Sequence, residues 1–159
     1  MLKSFIDSFK SVTISSLDKD NTPFTSYAPF IKKDFKYYVY ISAIAKHSQN
    51  LELNPKASLF FIEDEKTCEN IFARRRVVLQ TTCKKLSRDT KEFEELMEVF
   101  EVKHGQIIPM LKKMKDFSIF EFTPIKGEAV FGFGKAYDVG GKTCETLLDR
   151  KNVKGHEDN

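Results

Sequence analysis

Between Thr22 and Asp64 the hydrophobic period changes repeatedly, and that narrows what the chain can fold into. The runs TPFTSYAPFI and KKDFKYYVYIS gather β-branched and aromatic residues around the turn-like KKD, the pattern of a hairpin. From Ala43 to Leu53 the period becomes helical, with Ile44, His47 and Leu51 recurring on it, and Asn54-Pro55 stops the helix. Lys56 to Ile62 is then a nearly continuous apolar run, predicted as a strand buried on both faces. Strand, strand, short helix and strand without a glycine-rich phosphate loop predict a barrel with helical plugs. They argue against a doubly wound dinucleotide fold.

The flanking segments extend that plan. Leu2, Phe5, Ile6 and Phe9 fall on one helical face and should cap the barrel. Val12 to Leu17 reads as a strand, and DKDN at 18–21 as a polar turn. Thr67 to Phe72 reads as a short helix running into Arg74, Arg75 and Arg76, then the strand VVLQTTCKKL. Ser87 is placed to cap a helix whose apolar stripe is Phe93, Leu96, Met97 and Phe100, and Gly105 ends it. Ile107, Met110, Leu111 and Met114 make a second stripe, with Pro109 tolerated near the first turn. Phe117 to Phe122 is a strand, and PIKGEAVFGFGKAYDV a final hairpin in which Gly132 and Gly134 mark where a strand must bend or approach another group closely. Gly140-Gly141 is expected to release the chain, giving a barrel domain over 1–140 and a polar tail over 141–159.

Composition fits one domain with a sizeable core: 159 residues, 41% hydrophobic, fifteen Phe and no Trp. The net charge of +3, from 26 basic and 23 acidic residues, gives no support for a nucleic-acid partner. Cys68, Cys83 and Cys144 form no CxxC pair, which disfavours structural zinc and suits reduced thiols. The opening MLKSFIDSFKS lacks the long apolar region of a signal peptide, and no run reaches membrane-spanning length. The expectation is a cytoplasmic protein without a membrane partner.

The run Arg74-Arg75-Arg76 is the strongest local signal. In an extended strand Arg74 and Arg76 share a face, making a fork suited to phosphate or carboxylate oxygens. Lys46 and His47 could join it, with Ser26 as a neutral donor. A solvated strand end, or pairing with Glu63, Asp64 and Glu65, accounts for the same arginines equally well. Of three histidines, His104 precedes a helix-ending glycine and needs no further purpose there. His47 either faces a ligand or caps the barrel. His156, in GHED, would by itself be a solvated tail residue.

SYAPF, KHSQNLELNP, FIEDE, FARRR, DFSIF, GFGKAYDV and the terminal Gly155-His156, in that order, resemble the haem-utilization branch of the FMN-binding split-barrel superfamily. That branch is similar to the pyridoxamine-phosphate oxidases but handles haem. The resemblance covers about Ser11 to His156 and implies an α+β split barrel, dimeric, with sites at the subunit interface. It implies haem binding and oxidative haem degradation to release iron, fed by an electron donor. It also implies His156 as axial ligand of the haem iron and Asp116 as the carboxylate that orients it. Arg76 would then be a distal donor, and Arg74, Lys46 and His47 propionate contacts. An FMN-dependent oxidoreductase, with the same cations holding the flavin phosphate, is the first alternative; a non-catalytic haem carrier is the second. Arg150 to His156 carries no large apolar residue except Val153, so it is expected to order only around haem.

Overall fold

The computed structural model describes residues 1–150. Alternating apolar residues in β1 (Ser11–Leu17), β2 (Pro23–Lys33), β3 (Lys36–Ser42), β4 (Lys56–Ile62), β5 (Arg76–Lys85) and β6 (Phe117–Val130) build one antiparallel sheet. The order is β3-β2-β1-β4-β5-β6, and the additional β3–β6 pairing closes it into a six-stranded barrel. The 14-residue β6 serves two neighbours on one edge: 117–122 pair with β3, and 127–130 with β7 (Ala136–Gly140). β8 (Thr146–Asp149) then pairs with β7, outside the barrel. Register against β5 slips between Gln80 and Thr81, whose partners are Lys126 and Pro124, leaving Ile125 as the extra, 59% exposed residue. A proline, which cannot donate to a ladder, is tolerated at such a bulge.

Both ends of the barrel are plugged by helices. α1 (Leu2–Asp7) closes one end, where Phe5 stacks edge-on against Phe131 and Phe9 against Phe61. Phe61 also meets Phe30 and Tyr37, so the interior is an aromatic cluster, as the phenylalanine count suggested. α2 (Lys46–Leu53) closes the other end and contributes Leu51 to the same core. α3 (Lys91–His104) and α4 (Ile107–Lys112) pack outside the barrel, where Phe93, Leu96, Met97, Phe100 and Ile108 cover Tyr38, Tyr40 and Ile119. Arg88 locks this layer: it donates to Tyr40 Oη, Phe117 O and Lys112 O, and its guanidinium lies over Phe93.

Several sequence expectations need correction. The strand buried on both faces is β3, sandwiched between interior and helices; β4 alternates, because no helix covers its outer side. Thr90, not Ser87, caps α3, since its Oγ1 accepts Phe93 N at 3.0 Å. Of the second stripe Ile107, Met110 and Met114 are exposed and only Leu111 is partly buried; the buried residue of this helix is Ile108, which the stripe left out. Residues 64–72 form a turn at 64–68 and a 3-10 turn at Ile71–Ala73 in place of a helix. Gly132 and Gly134 sit in the β6–β7 turn; the close approach falls on Gly127, where a Cβ would lie 2.3 Å from Val78 O. Structure continues past Gly140, within the segment expected as a polar tail. β8 extends the sheet, Cys144 packs into the core, and Glu145 bonds Lys32 at 3.0 Å. The remaining tail calls, including His156, lie outside the described residues.

Candidate functional site

The α2 end of the barrel gathers four of the sequence-selected residues. α2 begins at Lys46, immediately after the β3–α2 turn, so its first residues face the rim formed by β2. His47 Nδ1 lies 2.9 Å from Ser26 Oγ, and Lys46 Nζ stands 4.9 Å from the centre of the Phe24 ring. Beside them Ser42, the last residue of β3, donates from Oγ to Asp116 Oδ2 at 2.6 Å. Ala43 N donates to Asp116 O at 2.8 Å, which ties the turn to the start of β6. Burial holds the His47 imidazole below its ordinary value of 6.5, so near neutral pH it is an uncharged hydrogen-bonding group rather than a cation.

That shift has a testable sign. As pH falls through about 6.5 the unfolded chain takes up a proton that folded His47 refuses, so the stability tied to its neutral form is lost. The loss continues until the lower folded value is reached. His47→Gln should therefore flatten the decline in melting temperature between about pH 7 and pH 5. Parallel curves for the two proteins would contradict this assignment.

The arginines occupy the opposite end, beside α1. β5 begins only at Arg76, and the three guanidiniums organise the β4–β5 connection. Arg74 donates from Nε and Nη2 to Glu63 O, at 3.0 and 2.5 Å. Arg75 binds the Glu63 carboxylate through its backbone N–H at 2.8 Å and through Nε at 2.9 Å. The backbone bond, with the side-chain contact and charge of Arg75, outweighs burial and holds Glu63 below the usual carboxylate range. Arg76 Nη1 bonds Arg74 O at 2.9 Å. Pairing with Glu63, one of the readings left open by the sequence, thus accounts for Arg74 and Arg75. Arg76, half-buried, retains Nε and Nη2 without protein partners among the described residues. A cavity of about 580 Å³ opens here between Phe5, Phe9, Phe131 and Arg75, and one of about 420 Å³ adjoins it beside Phe133. Phe72, Phe133 and Ile71 are exposed on the same rim.

Within one chain, then, Lys46, His47, Ser26 and Asp116 come together, and the arginines do not join them. The β8 strand leads Arg150 back toward the arginine end, since Tyr137 pairs with both Ala129 and Asp149. His104 has the structural place expected of it, with Nε2 2.8 Å from Phe30 O. Sequence reasoning missed Ser42, whose contact with Asp116 spans 74 positions and leaves no local signal. Among the described residues no group of three or more His, Cys, Asp or Glu could hold a metal ion. No helix described is long and apolar enough to cross a membrane.

A closed antiparallel barrel plugged by short helices, with polar and cationic groups at its rims, is a split barrel. Residues 1–131 match the family described as pyridoxamine 5'-phosphate oxidase. Over 156 residues the chain is 36% identical to Heme oxygenase HutZ of Vibrio cholerae serotype O1, a match covering 98% of this chain and 87% of that one. A crystal structure of HutZ, described as the heme storage protein from Vibrio cholerae, has a TM-score of 0.76 at 33% identity, covering 82% of this chain and 90% of that one. Campylobacter jejuni ChuZ has a TM-score of 0.83 at 28% identity over 98% of this chain, which spans 65% of that longer one. The chain belongs to the haem-utilization branch of the pyridoxamine 5'-phosphate oxidase-like split-barrel family.

Proposed function

We propose that this protein binds haem and, supplied with oxygen and an electron donor, degrades it oxidatively to release iron. The observation that carries the reading is the 36% identity with Heme oxygenase HutZ along nearly the whole chain. The rims offer what a planar, dianionic ligand needs. Cations are present in Lys46 and Arg76, and apolar surface in Ile44, Phe72 and Phe133. Asp116 offers an exposed carboxylate beside them. Haem supplies the oxygen chemistry when bound; the residues ligate, orient and shield it. His156 would hold the haem iron, and Asp116 would accept the other imidazole N–H and so fix the tautomer. Arg76 would donate a hydrogen bond to oxygen held at the iron, Lys46 would pair with a propionate, and His47 with Ser26 would offer it neutral hydrogen bonds. Arg76 lies at the opposite end of the barrel from Asp116, Lys46 and His47, so a site that used all of them would draw on two copies of the chain in a homodimer.

Titration of the purified protein with hemin tests the reading. The expected result is a Soret shift saturating near one haem per chain. No shift, or a protein that purifies yellow with stoichiometric FMN, would instead favour the flavin alternative. A carrier without turnover is the second reading, favoured by the description of HutZ as a heme storage protein.

The arginines should separate in function. Arg76→Ala is expected to impair oxygen-dependent haem loss more than haem affinity. Arg74→Ala is expected to weaken haem binding by about tenfold, the worth of a charge-assisted contact of roughly 1.5–3 kcal/mol reduced by the need to leave Glu63 O. Unchanged affinity and turnover in both would leave Arg74 with its bonds to Glu63 O, and Arg76 with its bond to Arg74 O, as their whole role.

A further inference from the structure

We propose that Ser42 is a positioning residue for Asp116: it fixes which carboxylate oxygen is presented to the haem-ligating imidazole. The inference deepens the haem reading and rests on it. An exposed aspartate ordinarily rotates freely about its last torsion, which is broad and roughly two-fold. Here one oxygen is taken. Ser42 Oγ stands 2.6 Å from Asp116 Oδ2, a length characteristic of an O–H bond to a charged oxygen. The direction of that bond is set by the rest of the turn. Ile44 N donates to the same Oγ at 3.3 Å, so the hydroxyl is already an acceptor and its single proton points at Asp116.

The serine is itself held at a second point. Its carbonyl accepts Ser48 Oγ at 2.6 Å and Ala45 N at 3.1 Å, anchoring it to the start of α2. The backbone of Asp116 is fixed from the same turn by Ala43 N. Carboxylate and hydroxyl are therefore clamped on two neighbouring segments. Oδ1 has no partner among the described residues and is the oxygen left to accept an imidazole N–H. A pre-oriented acceptor loses less freedom when it engages than a rotating one. As an exposed pair, the contact adds little to folding; its effect belongs to the ligand.

The test uses hemin-loaded protein carrying Ser42→Ala, Ser42→Thr, Asp116→Asn, or Ser42→Ala with Asp116→Asn. The iron–imidazole stretch of the ferrous form is read by resonance Raman, and haem loss by transfer to an excess of apomyoglobin. Ser42→Ala should lower the stretch and speed haem loss roughly five-fold, about the effect of one net hydrogen bond. Ser42→Thr should restore both. In the Asp116→Asn background Ser42→Ala should change nothing further, since its effect passes through that carboxylate. Ser42→Ala indistinguishable from the parent, or additive with Asp116→Asn, would overturn the proposal. A parent protein without an imidazole-ligated spectrum would overturn the haem reading beneath it.

Discussion

Replacing His156 by alanine should weaken haem binding by roughly 100-fold or more and abolish the imidazole-ligated spectrum, while the barrel stays folded. Loss of a group that merely orients a ligand costs about 10–100-fold in comparable sites, and removing the ligand itself exceeds that. The fold should survive because the two core clusters are built from residues 2–147, ahead of this position. Trypsin adds a second view of the same segment. Lys151 and Lys154 should be cut more slowly with haem than without it if ligation by His156 offsets the cost of ordering, about 1–2 kcal/mol per residue. Equal cleavage and unchanged spectra for His156→Ala would remove the histidine from the site.

Phe61→Ala should give the largest loss of stability, about 3–5 kcal/mol, against a total of roughly 5–15 kcal/mol for a domain of this kind. Phe61 is 1% exposed and sits where the rings of Phe9, Phe30 and Tyr37 converge. Truncation deletes its own burial and leaves a cavity that three other aromatics line, so little of it can collapse. The same aromatic pairs contribute about 0.5–1.5 kcal/mol each beyond area burial. Urea denaturation of parent and variant measures the change. A loss below about 1 kcal/mol would mean that the interior is loosely packed and that α1 does not close it.

The alternation of β1, β2 and β5 and the stripe of α3 were legible because burial on one face writes a period into the chain. β3 was harder to place than β4, since KYYVYIS and KASLFFI look alike until α3 and α4 are seen to cover only the first. β8 was hidden by its composition. An edge strand of four residues following Gly140-Gly141 buries too little to leave an apolar signature. The cap on α3 moved from Ser87 to Thr90 because both are good capping residues, and only the helix start decides between them.

At the site, Lys46, His47 and Ser26 were chosen for their chemistry and do meet at one rim. The arginines, chosen with them, lie at the other. One strand, β4, crosses the barrel between Lys46 and Arg76, and its register against β5, with Ile62 opposite Arg76, puts the two at opposite ends. The Glu63 contacts were among the readings weighed, whereas the Ser42–Asp116 bond depends on a turn whose geometry no residue type announces.

Bound haem is expected to be consumed. Hemin-loaded protein should be mixed with a chemical reductant and catalase in air, in the presence of a ferrous chelator, and followed by absorbance. The Soret band should disappear while about one equivalent of iron reaches the chelator. Haem that is reduced and reoxidised with its Soret band intact, and no iron released, would contradict it.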